Sequence, residues 1–157
     1  MPNRPLTSLL APERISVGLA MASKDEVLAE MARMASTSAA VSDPDLLLRD
    51  VLAREARMST GVGNGLALPH ARTQAATESL LTLATLASPI DYAALDEQPV
   101  RLVVMLAGPE ADRVAHLHIL GRVSRVLSDA VVRSRIEDAS SSDEVLAAIR
   151  SAEAVLA

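Results

Sequence analysis

Apolar residues recur along this chain with two different spacings, and the switches between them mark out the elements. Val27, Leu28, Met31 and Met34 follow a helical spacing and predict one amphipathic helix. Ser23-Lys24-Asp25-Glu26 reads as its capping box, the serine oxygen accepting from a first-turn amide while the glutamate reaches back. A Ser/Thr/Ala stretch at 36–42 ends it. Asp43-Pro44 opens a second helix, with aspartate as N-cap and proline in the first turn. That helix is expected to run to Arg57 and to bury Leu47, Val51 and Leu52. Further helices are predicted from Ala111 to Leu127 and over 130–138, the latter started by Ser128-Asp129. A second capping box, Ser141-Ser142-Asp143-Glu144, opens the last one, whose apolar residues are Val145, Leu146, Ile149 and Val155.

Strand-like segments lie between these helices. Ile15–Leu19 and Leu66-Ala67-Leu68 are short, while Leu80–Ala87 and Val100–Ala107 are continuous apolar runs, as strands covered on both faces require. Ser88-Pro89-Ile90-Asp91 and Asp96-Glu97-Gln98-Pro99 read as turns. Helices and strands interleave throughout, so the fold class is α/β. No repeat or linker divides residues 1–157, which predicts one domain. The proline-rich lead-in, residues 1–13, is expected to be poorly ordered over its first ten or so positions.

Composition narrows the functions available. Half of the 157 residues are hydrophobic, yet Tyr92 is the only aromatic, so the core is aliphatic and stacking on bases or sugars is excluded. A net charge of −5 argues against a nucleic-acid binder, whose affinity rests on clustered Lys and Arg. Arg122, Arg125, Arg133 and Arg135 form a modest basic group that reads as a solvated helix face. The absence of cysteine removes disulfides and thiolate metal sites and fits a reducing compartment. Ala20-Met21-Ala22 imitates a signal-cleavage site, but Pro5, Pro12, Glu13 and Arg14 interrupt the segment before it. No run approaches a bilayer span. The expected location is the cytoplasm.

Candidate chemistry concentrates at Gly61-Val62-Gly63-Asn64-Gly65-Leu66-Ala67-Leu68-Pro69-His70. The glycines fit neither a dinucleotide fingerprint nor a Walker loop. A plain tight turn with an incidental histidine is one reading. The other is a rigid loop that presents His70, a side chain largely neutral and nucleophilic at physiological pH. On the Ala111–Leu127 helix, His116 aligns with Leu120, Val123 and Leu127 and is expected to face the protein body, while His118 faces outward. His116 therefore reads either as a satisfied core residue or as part of a site. Residues i and i+2 diverge on a helix, so the pair does not form a metal site. Arg54, beside Glu55 at a helix C-terminus, either complements the helix dipole or supplies a guanidinium fork for a phosphoryl group. Arg72 competes for that second role.

Arg54-Glu55, the run from Ser59 to Arg72 and His116-Leu117-His118-Ile119-Leu120 together resemble the fructose/mannitol/nitrogen-regulatory type of enzyme IIA of the phosphoenolpyruvate:sugar phosphotransferase system. The resemblance runs from Leu9 to the last helix. It implies an α/β sandwich, with a mixed, mostly parallel sheet and helices on both sides. It implies that His70 takes a phosphoryl group on Nε2 from a histidine-phosphorylated carrier of the HPr type, without a cofactor. His116 would be the partner histidine and Arg54 the neutralising cation, with amides of Gly61, Gly63, Asn64 and Gly65 adding donors. Gly108 departs from the apolar residue usual in relatives, and is expected to loosen the strand end near His116. The resemblance leaves two roles, a nitrogen-regulatory protein that binds targets according to its phosphorylation state and a transport component that passes phosphate to a IIB domain. The wording of the glycine run leans to the first. A binding module that no longer takes phosphate is the reading from a different class.

Overall fold

A computed structural model describes residues 4–156 of the chain. In chain order the elements are β1 (Ile15–Leu19), α1 (Lys24–Ala35), α2 (Pro44–Arg57), β2 (Gly61–Gly63), β3 (Leu66–Ala67), β4 (His70–Thr73), β5 (Leu80–Ile90), β6 (Val100–Pro109), α3 (Arg113–Leu127), α4 (Ala130–Glu137) and α5 (Ser142–Leu156). The strands form one sheet in the order β1-β5-β6-β3-β2, with β4 also paired to β6. β1–β5, β3–β6 and β4–β6 are parallel, while β5–β6 and β2–β3 are antiparallel. The sheet is mixed and mostly parallel, as expected.

Period-two alternation in the two central strands builds two cores, one on each face. Leu81, Leu83, Leu102, Val104 and Leu106 pack under α3, α4 and α5. Leu80, Ala84, Val103, Met105 and Ala107 pack under α1 and α2. Both central strands are therefore buried on both sides, which explains why they read as unbroken apolar runs. The helix starts follow their caps. Ser23 Oγ accepts from Glu26 N at 3.2 Å and Asp43 Oδ1 accepts from Leu46 N at 3.1 Å. Among the described residues, no helix is long and apolar enough to cross a membrane.

The structure corrects the sequence reading at five places. Leu6–Leu9 and Pro12–Arg14 form 3₁₀ turns rather than a loose lead-in, because Leu6, Leu9 and Leu10 enter the core. The Arg14 side chain ties them down, donating to Leu9 O at 3.0 Å and Leu81 O at 3.3 Å. Only Met1–Asn3 of the predicted lead-in lie outside the described residues. Leu52 is 38% exposed, since the buried stripe of α2 is Leu47, Val51 and Glu55. Val155 is exposed on the final turn of α5. β5 runs through Ser88 and Pro89 to Ile90, its register against β6 shifting between Thr85 and Ile90 instead of ending in a turn. The basic group at 122–135 is partly structural: Arg122 pairs with Glu153 at 2.7 Å, and Arg133 caps the Leu127 and Ser128 carbonyls at the end of α3.

Candidate active site

The site begins with an interruption in one sheet edge. β3 pairs with Leu102 and Val103 of β6, and β4 resumes the same edge at His70, opposite Leu106. Pro69, which has no N–H to give a ladder, sits in the gap and accepts at its carbonyl from Leu106 N at 3.0 Å. His70 is thus the first residue of a strand and half-buried, not an exposed loop tip. Its Nδ1 lies 2.9 Å from Leu68 O, and a carbonyl can only accept, so the proton belongs on Nδ1. Nε2 keeps its lone pair. Burial lowers the His70 pKa below the usual histidine value, and Arg54 adds to this, against the opposing pulls of the Leu68 carbonyl and Glu55. The neutral imidazole is the resting form near neutrality.

His116 faces it from the first turn of α3, which starts at the Asp112 cap. Its ring centroid is 5.6 Å from that of His70, with the planes tilted by 57°. The residue is 4% exposed, yet neither ring nitrogen has a hydrogen-bond partner. Burial, then His70 and Arg72, push its pKa down to about 4. Two unpartnered nitrogens on a buried ring are a deficit that an added acceptor would relieve. Gly108, expected to loosen the strand end, lies inside β6 and makes room for this ring: a Cβ there would stand 3.3 Å from His116 Nδ1 and 3.0 Å from Ser79 Oγ.

Both histidines open on a cleft of about 750 Å³. Arg54, Arg57, Arg72 and Arg113 line it, against two carboxylates, Asp50 and Glu110. Arg54 Nη1 donates to Met58 O at 3.0 Å and Arg72 Nη1 to Glu110 O at 2.9 Å, so each is held by one bond with donors to spare. The sequence reading named Arg54 and Arg72 but missed Arg57 and Arg113. Spacing held the signal, since Arg57 is three residues from Arg54 and Arg113 three from His116, each on the same helix face. A surplus of guanidinium around a neutral imidazole suits a tetrahedral dianion.

The glycine run does not line this cleft. β2 and β3 form a hairpin whose two-residue turn is Asn64-Gly65, both at positive φ (59° and 77°). That is the signature of the tight turns that match strand twist. Gly61 is required by space instead, because a Cβ would come within 2.6 Å of Ala94 Cβ. The Gly61 and Asn64 amides donate to Ser59 Oγ (3.1 Å) and Asp96 Oδ2 (3.2 Å). Two of the four expected amide donors therefore serve the hairpin. His118 is exposed on the outer face of α3, as its spacing indicates.

Glu55, adjoining Arg54, is buried on the α2 stripe. Its Oε2 accepts from Thr60 N at 2.6 Å and pairs with Lys24 Nζ at 3.0 Å. Its Oε1 accepts from the Thr60 hydroxyl and from Tyr92 OH, the latter at 3.1 Å. Burial pushes the Glu55 pKa up, but the Thr60 and Lys24 donors together outweigh it and hold the group ionised. Among the described residues, no cluster of three or more His, Asp or Glu could hold a metal ion.

The sheet, its flanking helices and this cleft define a known kind of α/β protein. The crystal structure of the nitrogen regulatory protein IIA-Ntr from Neisseria meningitidis superposes with a TM-score of 0.84 at 26% identity, covering 90% of this chain and 97% of that one. The family described as "Phosphoenolpyruvate-dependent sugar phosphotransferase system, EIIA 2" matches residues 8–152, and the chain belongs to it. A nitrogen regulatory protein from Pseudomonas aeruginosa is 33% identical over 138 residues, 88% of this chain and 90% of that protein. The fructose-specific EIIABC component of Bacillus subtilis is 31% identical over 141 residues, 90% of this chain, which spans only 22% of that relative's length. The chain is thus a phosphotransferase-system component of the type that takes part in phosphoryl transfer.

Proposed function

We propose that this chain is a phosphocarrier that accepts a phosphoryl group on His70 Nε2 from a phosphohistidine donor of the HPr type. The observation that carries the reading is the Nδ1–H···O=C bond to Leu68, which aims a free Nε2 lone pair into an arginine-lined cleft beside an unpartnered His116. In the transfer, the N–P bond of a ring-protonated phosphohistidine breaks and the donor leaves as neutral imidazole. The Nε2–P bond forms at the same time. His70 becomes a phosphoimidazolium whose Nδ1–H keeps its bond to Leu68. Such a loose transfer needs positioning and charge neutralisation more than covalent help. The arginines neutralise the phosphoryl oxygens, and His116 donates from one ring nitrogen, filling its own deficit.

The role beyond the phosphoryl step is the nitrogen-regulatory one, in which a dianion added at the cleft mouth changes which proteins dock there. The 33% identity to the Pseudomonas nitrogen regulatory protein and the fit to the Neisseria structure support this. The similar identity to the Bacillus transporter favours a second reading, transfer onward to a IIB domain. In either role the chain acts in the cytoplasm, where the donor is. Intact mass after incubation with phosphoenolpyruvate, enzyme I and HPr tests the shared step. One acid-labile phosphoryl on the wild-type protein and none on His70→Ala is the expected result. Wild-type uptake on His70→Ala overturns the site, and no uptake on either protein, with a IIA control labelled, leaves a binding module.

A further inference from the structure

A carboxylate in the last turn of a helix faces the negative end of the helix dipole, and burial adds a desolvation cost. Glu55 carries both penalties, and the direct transfer to His70 makes no use of it. What it does hold is Thr60, through both the amide and the hydroxyl. Thr60 O in turn accepts from Leu68 N at 2.9 Å, and Leu68 O accepts the Nδ1 proton of His70. Lys24 locks the far end, 3.0 Å from Glu55 Oε2 and 4.5 Å above the Tyr92 ring centroid, while Tyr92 OH donates to the same carboxylate.

We infer that Glu55 is a positioning residue for the phosphoryl step: through Thr60 it holds the backbone of Leu68, whose carbonyl keeps the His70 proton on Nδ1. The inference rests on the phosphohistidine reading for its consequence, but not for its geometry. A chain of four partners connects an ion pair on the α1 side of the sheet to the tautomer of the nucleophile. Pro69 gives no N–H to the ladder and its carbonyl accepts from Leu106 N at 3.0 Å, while Leu68 directs its N–H to Thr60 and its C=O to His70. With the carbonyl turned away, the proton distributes onto Nε2, and that nitrogen then has no lone pair to attack phosphorus.

Two substitutions separate this role from simple packing. In Glu55→Gln, the charge that pairs with Lys24 is lost and only one accepting oxygen remains where the carboxylate offered two, so the grip on Thr60 weakens. Thr60→Val removes the hydroxyl while keeping the shape, and Thr60→Ser restores it. Long-range proton–nitrogen correlation spectra of the imidazoles read the His70 tautomer directly, in the unphosphorylated protein. The wild-type protein and Thr60→Ser are expected in the Nδ1–H form, with Glu55→Gln and Thr60→Val showing a mixture. Initial rates of phosphoryl uptake from HPr should fall about tenfold in Glu55→Gln, the size of one lost hydrogen bond in the transition state, and less in Thr60→Val. A wild-type tautomer in both Thr60→Val and folded Glu55→Gln overturns the inference. If Glu55→Gln does not fold, Thr60→Val against Thr60→Ser decides it alone. A wild-type protein that takes no phosphoryl refutes the proposed function instead and leaves the tautomer result standing.

Discussion

The glycine hairpin and the arginine cleft are neighbours in sequence and opposites in construction. Between Gly61 and Leu66 every demand is internal: a turn at positive φ, a Cβ-free contact with Ala94, amides that donate to Ser59 and Asp96. From His70 onward the groups are left unfinished. His70 Nε2 has no partner, His116 has none on either nitrogen, and four guanidiniums outnumber the carboxylates beside them. A motif that stands out in the sequence is here a device for folding. The groups that chemistry needs are scattered over β4, α2 and α3 and stand out only when they meet. Satisfied polar groups stabilise, whereas unsatisfied buried ones cost stability and persist where something else will bind.

That contrast predicts a double dissociation. His70→Ala should eliminate phosphoryl uptake altogether while the thermal midpoint changes little, because the side chain is half-buried and makes one hydrogen bond; a large drop in midpoint would give His70 a role in the core. His116→Ala should slow transfer about 10²-fold per folded molecule, the usual effect of losing one donor to a transition-state charge. Rapid-quench rates check it, and an unchanged rate removes His116 from the site. Gly61→Ala should do the reverse, lowering stability by about 1–3 kcal/mol through overpacking against Ala94 with the uptake rate per folded molecule retained. A rate that falls in proportion to a dianion-binding defect, with stability intact, would put the hairpin back in the site.

A smaller effect concerns pH. His116 titrates at about 4 in the folded protein, against about 6.5 in an unfolded chain. Above the unfolded value the ring is neutral in both states, so its protonation makes no difference to stability. As pH falls toward 4 the unfolded chain takes up the proton first, so stability is lost across that window. The loss from this residue between pH 7 and pH 5 is about 2 kcal/mol. Urea midpoints at the two pH values should therefore differ less in a His116→Leu protein than in wild type. Equal differences would mean that the ring is not held neutral.

Much of this molecule was legible in its sequence, for reasons that vary by element. Continuous apolar runs at 80–87 and 100–107 gave away strands covered on both faces, and Ser23, Asp43 and Ser141 announced helix starts through local hydrogen bonds. Leu52 was misread because helical spacing fixes a stripe but not its width, and the position four residues past Val51 is filled by a carboxylate. That same carboxylate on the stripe Leu47, Val51, Glu55 was the available clue to the buried network. The orientation of His116 followed from helix periodicity. Its pairing with His70, the grouping of Arg57 and Arg113 with them, and the hairpin's distance from the cleft are tertiary facts. Spacing along one chain does not contain them.

The nitrogen that carries the phosphoryl group tests the account most directly. Nitrogen and phosphorus NMR of the phosphorylated protein distinguishes the two phosphohistidine isomers and assigns the residue. The Leu68 bond predicts a single species, phosphorylated on Nε2 of His70, with its Nδ1 proton protected from exchange. Phosphate on Nδ1 of His70, or on exposed His118, would contradict it.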